Sequence, residues 1–421
     1  MPTIILLGTL DTKGAEYEFV RGRLLGLGCD VLVVDAGTMG QTRYAVDVSA
    51  DEVAAAGGAD RSALADAGDR GAAMAAMREG AALVVARLHG EGRLDGILAL
   101  GGSGGTSLAA AAMQRLPVGV PKLIVSTMAS GDVRPYVGET DIAMLYSIVD
   151  VAGINRVSER ILANAAAAIA GMARVEFGGD DDGGHGAARR PLVAATMFGV
   201  TTPCVTAARA ELEARGYEVL VFHATGSGGR AMEGLARGGF LAGILDVTTT
   251  ELADELVGGV LSAGPERLEA AGALGLPQVV SLGALDMVNF GPRDTIPAAF
   301  AGRRFYEHNA TVTLMRTTVD ECRELGRIIA RKLNAARGPV SVFIPTEGIS
   351  MIDVAGGPFH DPAADAALVE ALRGDLRRDI EVVEMAVDIN DPSFGPAMAE
   401  RLDELIRAGQ PAVAPISGVA G

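Results

Sequence analysis

The sequence predicts an α/β protein of two Rossmann-like, doubly wound lobes with mainly parallel sheets, related by an internal duplication. Three observations predict it. Short apolar runs alternate with amphipathic helical segments, which is typical of parallel strands joined by helical crossovers. The same succession occurs twice along the chain, and a polar, glycine-rich segment lies between the two copies. Right-handed crossovers in such folds place helices on both faces of each sheet.

Both copies begin with the same strand–helix–strand unit. In the first copy it consists of strand 4–8, helix 15–27 and strand 31–34. In the second copy it consists of strand 192–196, a helix that ends at Gly216 and strand 219–222. The predicted domains are therefore an N-terminal lobe over 1–176, a linker over 177–190 and a C-terminal lobe over 191–421. The first lobe carries an insertion over about 38–90, in which Met77, Val84 and Leu88 lie on one helical face and predict a core-facing helix.

Length and composition set limits on the function. A chain of 421 residues exceeds the size that one core usually serves. Its 36 basic and 53 acidic residues give a net charge of −17, which argues against nucleic acid or an anionic membrane as a partner. No apolar run approaches the roughly 20 residues of a membrane span, no leader segment is recognisable, and the 3 cysteines lack metal-ligand spacing. We expect a cytoplasmic, soluble protein.

A glycine-rich turn follows the apolar run 96–100 and precedes an alanine-rich helical segment. Its members are Gly102, Ser103, Gly104, Gly105 and Thr106. Glycines let the backbone approach an anion, and the N-terminus of the following helix offers N–H groups and a favourable dipole, so the turn predicts phosphate binding. It lacks the lysine of a P-loop and the spacing of a dinucleotide fingerprint. The alternative is a turn that only lets strand and helix pack closely.

The turn after the first strand combines hydroxyl, carboxylate and ammonium groups. It contains Thr9, Leu10, Asp11 and Lys13. Lys13 would neutralise phosphate charge, and Asp11 would bind a metal ion or a ribose hydroxyl. The alternative is that Asp11 or Thr12 caps a helix and that Lys13 is a solvated surface residue.

Further candidates in the first lobe follow other strands. Asp35 and Gly37 come after the second strand, where a carboxylate often contacts ribose in nucleotide-binding folds. Ser130 and Gly131 could close over a phosphate tail or hold Mg²⁺, or they could form an ordinary turn. Arg70, at the start of a helix in the insertion, faces a phosphate or is solvated.

The second lobe offers two catalytic candidates. His308 could act as a general base, although a lone histidine is more often structural. Glu347 follows an apolar strand and could be an acid, a base or a metal ligand. The sequence leaves open whether a metal ion is bound and by which residues.

The segments 8–16, 35–37, 101–106 and 345–348, taken together, resemble the family of the ATP-binding domain of the tomato mosaic virus resistance protein and its bacterial homologues. The resemblance spans essentially the whole chain. It implies two Rossmann-like lobes, dimeric association, and ATP held in the first lobe by the loops that match Thr9 to Lys13 and Gly102 to Thr106. The plant protein binds a viral replication protein, and that role does not carry over to this chain.

We therefore expect an ATP-binding cytoplasmic protein that acts as an enzyme on an unknown small molecule, with its reaction site between the lobes. Mg²⁺ would be required for phosphoryl or adenylyl transfer. One alternative is a non-catalytic module whose ATP-dependent homodimer, or higher homo-oligomer, binds another protein. Another is a hydrolase or lyase that acts on a carbonyl or acyl compound in the second lobe.

Overall fold

The computed structural model describes residues 1–38, 40, 42–67, 69–175 and 190–409. The chain divides into two compact units, Met1–Gly186 and Ala187–Gly421, here called the first and second unit. The predicted linker 177–190, apart from Arg190, lies outside the described residues. Within the described ranges, no helix is both long and apolar enough to cross a membrane.

The first unit is one five-stranded sheet with helices on both faces. Its strands are β1 (Thr3–Gly8), β2 (Asp30–Asp35), β3 (Gly96–Gly101), β4 (Lys122–Ser126) and β5 (Ala143–Tyr146). Its helices are α1 (Leu10–Gly26), α2 (Ala50–Ala56), α3 (Arg61–Ala67), α4 (Arg70–Gly90), α5 (Ser103–Met113), α6 (Arg134–Val137) and α7 (Arg156–Met172). All neighbouring strands are parallel, in the order β2-β1-β3-β4-β5.

Alternate residues of β1 show how the two faces are covered. Ile5 and Leu7 are buried in a core that includes α4 and α5, whereas Ile4 and Leu6 are buried against α1 and α7. Because successive side chains of a strand point to opposite faces, an apolar run buried on both sides is what a doubly wound sheet requires. The helical stripe predicted in the insertion lies in α4, which is the crossover helix between β2 and β3 and is buried at Met77.

The second unit contains a six-stranded parallel sheet and a small antiparallel one. Its strands are β6 (Leu192–Met197), β7 (Glu218–His223), β8 (Leu241–Thr248), β9 (Gln278–Gly283), β10 (Met287–Phe290), β11 (Phe305–Asn309), β12 (Val312–Arg316), β13 (Val340–Pro345) and β14 (Glu381–Met385). Its helices are α8 (Thr202–Ala214), α9 (Ser227–Arg237), α10 (Glu251–Val257), α11 (Ala270–Leu274), α12 (Val319–Asn334), α13 (Pro362–Asp375) and α14 (Phe394–Gly409).

The two units share one plan. Read from β7, the large sheet has the order β7-β6-β8-β9-β13-β14, so its first five strands repeat the connectivity of the first unit. The fold class predicted from the sequence, α/β with mainly parallel sheets, is confirmed. The antiparallel sheet β10-β12-β11, inserted between β9 and β13, is an addition that the repeated pattern did not predict.

Candidate functional site

The strand order of the first unit singles out one edge of its sheet. The chain crosses from β1 to β2 on one side and then returns to place β3 on the other side of β1, with Leu7 opposite Ala99. The carboxyl ends of β1 and β3 are therefore neighbours at the point where the strand order reverses. Ligands of open parallel sheets bind in the crevice at such a point. The two turns selected from the sequence, after Gly8 and after Gly101, both begin there.

Both helices start earlier than the sequence indicated. Helix α1 begins at Leu10 rather than at residue 15, and α5 begins at Ser103, so the predicted turns are the first turns of helices. Glycine is disfavoured in a helix interior, which is why these segments read as turns. The backbone N–H of Thr106 donates to the carbonyl oxygen of Gly102 at 2.9 Å and closes the first turn of α5.

The N-terminus of α5 carries no side-chain cap. Its N-cap residue is Gly102, which has no side chain to accept from the following N–H groups. Ser103 is exposed, while Gly104 and Gly105 are half-buried. The first N–H groups of a helix have no acceptor within the helix, so this end of α5 presents donors and a positive dipole to an anion.

At the N-terminus of α1, in contrast, a carboxylate of the protein already accepts from the first N–H group of the helix. Asp35 is 2% exposed, and its Oδ1 accepts from the N–H groups of Leu10 at 3.0 Å and Gly37 at 2.9 Å. Burial raises the pKa of Asp35, and the two hydrogen bonds partly offset that rise. Asp35 therefore fixes the start of α1, and its predicted contact with ribose stays a prediction.

Tyr17 joins the two strands at the point of reversal. Its hydroxyl donates to the carbonyl oxygen of Leu7 at 2.5 Å and accepts from the N–H of Leu100 at 2.8 Å. A Cβ on Gly8 would lie 1.9 Å from the same hydroxyl oxygen, so glycine is required there for the ring to reach both strands. Burial raises the pKa of Tyr17 far above its usual value. A tyrosine on an apolar helix face looks like ordinary core, so the sequence pattern does not single out Tyr17.

The remaining candidates near β1 have partners within the chain. The ammonium of Lys13 donates to the carbonyl oxygen of Val151, in the loop after β5. The hydroxyls of Thr9 and Thr12 lie 3.2 Å apart. A Cβ on Gly37 would lie 2.7 Å from Cγ of Asp11, so the segment after β2 packs directly on the Asp11 carboxylate.

The hydroxyl of Thr106 is buried, with the carbonyl oxygen of Gly102 at 2.7 Å and the hydroxyl oxygen of Ser126 at 2.6 Å. It thus ties α5 to the end of β4. Ser130 ends a short 3₁₀ turn after β4, and the N–H of Gly131 donates to Met128 at 3.1 Å.

Two contacts show what lies beside the glycine turn. A Cβ on Gly102 would be 3.7 Å from Oγ1 of Thr127, and a Cβ on Gly104 would be 3.6 Å from Cε of Met74 in α4. The turn after β4 and the first part of α4 therefore border the start of α5. Arg70 is the first residue of α4, and its side chain lies outside the described part of the chain.

A glycine-rich helix start in the second unit is filled by the protein itself, although it follows β7, the counterpart of β2, and so does not correspond to α5. Helix α9 follows a similar glycine-rich segment, but Oε1 of Glu251 accepts from the N–H groups of Gly226 at 2.7 Å and Gly229 at 3.1 Å. Glu251 is fully buried. A phosphate would have to displace this carboxylate, so the glycine-rich segment of the second unit is a structural element.

Glu251 belongs to a buried ion cluster around Arg267. The guanidinium contacts Asp246 at 2.5 and 2.6 Å and Glu251 at 2.7 Å, and lies 3.6 Å from Glu233. Burial raises the pKa of Glu233 despite the nearby arginine. Because every member is within hydrogen-bond or ion-pair distance of another, the cluster holds β8, α9 and α10 together.

The two catalytic candidates of the second unit lie in different places. Glu347 is exposed and lines a pocket of about 270 Å³ after β13, together with His360. His308 is exposed on β11, an edge strand of the antiparallel sheet, and does not line this pocket. His360 forms no metal-ligand spacing with another histidine, so the sequence pattern alone does not point to it. Among the described residues, no group of three or more His, Cys, Asp and Glu side chains is arranged to hold a metal ion.

Comparison with known proteins gives matches over most of the chain. Residues 2–177 match the model described as "Uncharacterised protein family (UPF0261) N-terminal domain", and residues 190–406 match the C-terminal domain of the same family. A UPF0261 protein of Clostridium tetani is 51% identical over 403 residues, covering 95% of this chain and 98% of its own. The ToMV resistance protein Tm-1(GCR237) of Solanum lycopersicum is 47% identical over 319 residues, which are 75% of this chain and 42% of the tomato protein.

A solved structure of UDP-N-acetylglucosamine 2-epimerase from Rickettsia bellii covers 97% of this chain and 96% of its own, with 9% identity and a TM-score of 0.23. A likeness at that level carries no argument about this chain.

Proposed function

The chain belongs to the UPF0261 family, and we propose that it binds ATP at the start of α5 in its first unit and uses it in a reaction on a small molecule. The observation that carries this proposal is the uncapped N-terminus of α5 at the β1/β3 reversal point. Of the two glycine-rich helix starts, only this one lacks a bound carboxylate in the described part of the chain. Phosphate oxygens would accept from the N–H groups of Ser103, Gly104 and Gly105.

The surroundings of α5 fit a polyphosphate. With a net charge of −17 the whole protein repels anions, so a phosphate site needs local donors and cations. Lys13 lies in the turn after β1, which neighbours the glycine turn, and its ammonium would exchange the carbonyl oxygen of Val151 for a phosphate oxygen. Asp11 supplies a carboxylate for Mg²⁺ at the same edge. When bound, ATP would supply an activated phosphoryl or adenylyl group, and these residues would bind and orient it.

The second unit favours an enzyme over a non-catalytic module. Its pocket after β13 has a size suited to a small molecule and contains the ionisable side chains of Glu347 and His360. A protein-binding module needs no such pocket. Dimer formation, which the resemblance implies, stays a prediction that sedimentation velocity with and without ATP would test.

The test is calorimetric titration with Mg·ATP of the unaltered chain and of Gly104→Val. The added side chain would project from the first turn of α5, where a Cβ meets only Met74 at an ordinary distance, so the fold should tolerate it. We expect ATP affinity to fall at least tenfold, because the branched side chain blocks the approach of phosphate to the backbone.

Gly171→Val is the matched control, since Gly171 lies in α7 with open space around it and the same valine enters a helix. Its ATP affinity should equal that of the unaltered chain. Adenosine, which lacks phosphates, should bind far more weakly than ATP. Absence of ATP binding by the unaltered chain, or equal binding by Gly104→Val, would refute the proposal.

A further inference from the structure

A pocket in the second unit lies outside the proposed nucleotide site. One wall is the segment Thr346–Ile349, which follows β13 directly. Helix α13 supplies a second part of the lining, and most of its lining residues recur three or four positions apart: Pro362, Asp365, Ala366, Leu368, Val369 and Arg373. The pocket measures about 270 Å³ and lies at the carboxyl end of a parallel strand, where ligands of such sheets bind.

The charges that line this pocket are mostly negative. The lining carboxylates are Glu347, Asp353, Asp365 and Glu384, and the lining basic groups are the guanidinium of Arg373 and the imidazole of His360. Arg373 is already paired with Glu384. An anionic ligand would therefore meet uncompensated carboxylates, whereas a cation would find acceptors.

A second arginine behind the pocket does not balance these carboxylates. Arg316 is 3% exposed, and its guanidinium lies 2.6 Å from Asp365 and 3.3 Å from Asp353. Asp286, fully buried nearby, adds another carboxyl group whose Oδ2 accepts from Ser350 at 2.8 Å. Oδ1 of Asp286 has no hydrogen-bond partner within the described residues.

The pKa of Asp353 reflects the same excess of carboxyl groups over guanidinium groups. Burial, together with the neighbouring carboxyl groups of Asp286 and Asp365, raises the pKa of Asp353 to about 8, although Arg316 lowers it. One guanidinium thus serves several carboxyl groups, and near neutral pH this group of side chains holds a proton in place of a cation. The apolar residues Ile349, Leu368 and Val369 complete the lining and leave room for a hydrocarbon chain.

We propose that this pocket binds an organic cation, an ammonium or guanidinium group on a short apolar chain, beside Asp353 and Asp365, with Glu347 contacting it at the rim. Ile349, Leu368 and Val369 would contact the chain and remove its methylenes from water. The inference stands on the second unit alone and does not rest on ATP binding, so either proposal can fail without the other.

The test compares three probes of equal chain length: n-hexylammonium, hexan-1-ol and hexanoate. Binding is followed by calorimetry and by saturation-transfer NMR at pH 7.5. We expect hexylammonium to bind, hexanol to bind more weakly and hexanoate not to bind at the same concentration. Equal or tighter binding of hexanoate, or failure of hexylammonium to bind at millimolar concentration, would overturn the proposal.

Glu347→Gln removes one negative charge from the exposed rim without a change of shape. We expect hexylammonium affinity to fall about tenfold, since hydrogen bonds to charged groups are the strong ones. Glu370→Gln is the matched control, because Glu370 is an exposed residue of the same helix α13 that does not line the pocket. Equal loss in both variants would mean that only the overall charge matters and would contradict the site.

A proton count gives an independent readout. A cation beside Asp353 favours its ionised form and lowers its pKa from about 8, so binding at pH 7.5 should release protons to the buffer. The measured enthalpy should then be more exothermic in Tris than in Pipes, because Tris takes up protons with the larger heat. Equal enthalpies in the two buffers would contradict the placement of the cation beside Asp353.

Discussion

Replacing Arg267 with methionine removes the guanidinium at the centre of the buried ion cluster of the second unit. Methionine matches the aliphatic part of the arginine side chain and carries none of its charge. Asp246 and Glu251 would lose partners at 2.5 to 2.7 Å, in a site where these three side chains are at most 1% exposed. Breaking a buried ion pair from one side costs about 3–5 kcal/mol because the remaining charge stays desolvated. We expect a loss of at least that size in the free energy of unfolding.

The loss should depend on pH in a defined direction. The pKa of Glu233 is already raised by burial, and removal of the arginine, whose charge lowers it, would raise it further. The folded variant would then bind protons that the unfolded chain, with a carboxyl pKa of about 4.3, does not bind. Stability contributed in this way is complete below the unfolded pKa and is lost as pH rises through the folded one. The variant should therefore be less destabilised at pH 5.5 than at pH 8.

The assay is urea unfolding followed by circular dichroism at both pH values, with hydrogen exchange at the amides of β8 to assign the transition to the second unit. Arg209→Met is the control, since Arg209 pairs with Glu213 on the surface of α8 at 2.7 Å and both side chains are about half exposed. Its loss should stay below about 1 kcal/mol. A similar loss in the two variants, or a loss at Arg267 independent of pH, would refute the assignment of a charge-balancing role.

Two further predictions concern single buried polar groups. Tyr17→Phe leaves the N–H of Leu100 and the carbonyl of Leu7 without the hydroxyl, and the free energy of unfolding should fall by about 1–3 kcal/mol in urea titrations; an unchanged value would show that the strand ends hold without it. Asp254 has a pKa raised to about 7 by burial and accepts from Asn289 at 2.6 Å, so the folded protein binds a proton that the unfolded chain releases. Its stability should fall from pH 5 to pH 8, by up to about 1.4 kcal/mol per pH unit, and Asp254→Asn should lose this slope; the same slope in the variant would contradict the assignment.

The strands and the repeated plan could be predicted because buried parallel strands need short apolar runs. Such runs can be recognised in the sequence without knowledge of which strands pair. Helix starts could not be placed, since the first turn of α5 tolerates glycines that a helix interior disfavours. The alternation of strand and helix also gives no sign of where an extra antiparallel sheet is inserted. The sequence thus predicted which strands and helices exist better than it predicted where each of them begins.

Arg267 shows why the buried ion cluster of the second unit escaped prediction. It sits between Glu266 and Leu268 in a charged segment that is typical of a surface, and its burial depends on carboxylates that fold against it from other elements. One signal was available: Asp246 interrupts the apolar run of β8, and a charge inside a buried strand must have a partner. Only part of the pocket after β13 could be predicted from the sequence. Glu347 directly follows a strand, whereas Arg373 belongs to helix α13, which gives no such signal.

The carboxylate of Glu251 at the start of α9 has a consequence for homologous chains. A glycine-rich helix start accepts whichever anion can reach it, and here a glutamate 22 residues along the chain from Gly229 occupies one such start permanently. A relative that carried a neutral residue at the position of Glu251, and at the position of Arg267 too, would expose a second anion-binding helix end without any change in its glycines. Within this fold, the capacity to hold a free phosphate is therefore decided by a distant acidic residue as much as by the glycine pattern, and sequence searches for new ligand sites should read the two together.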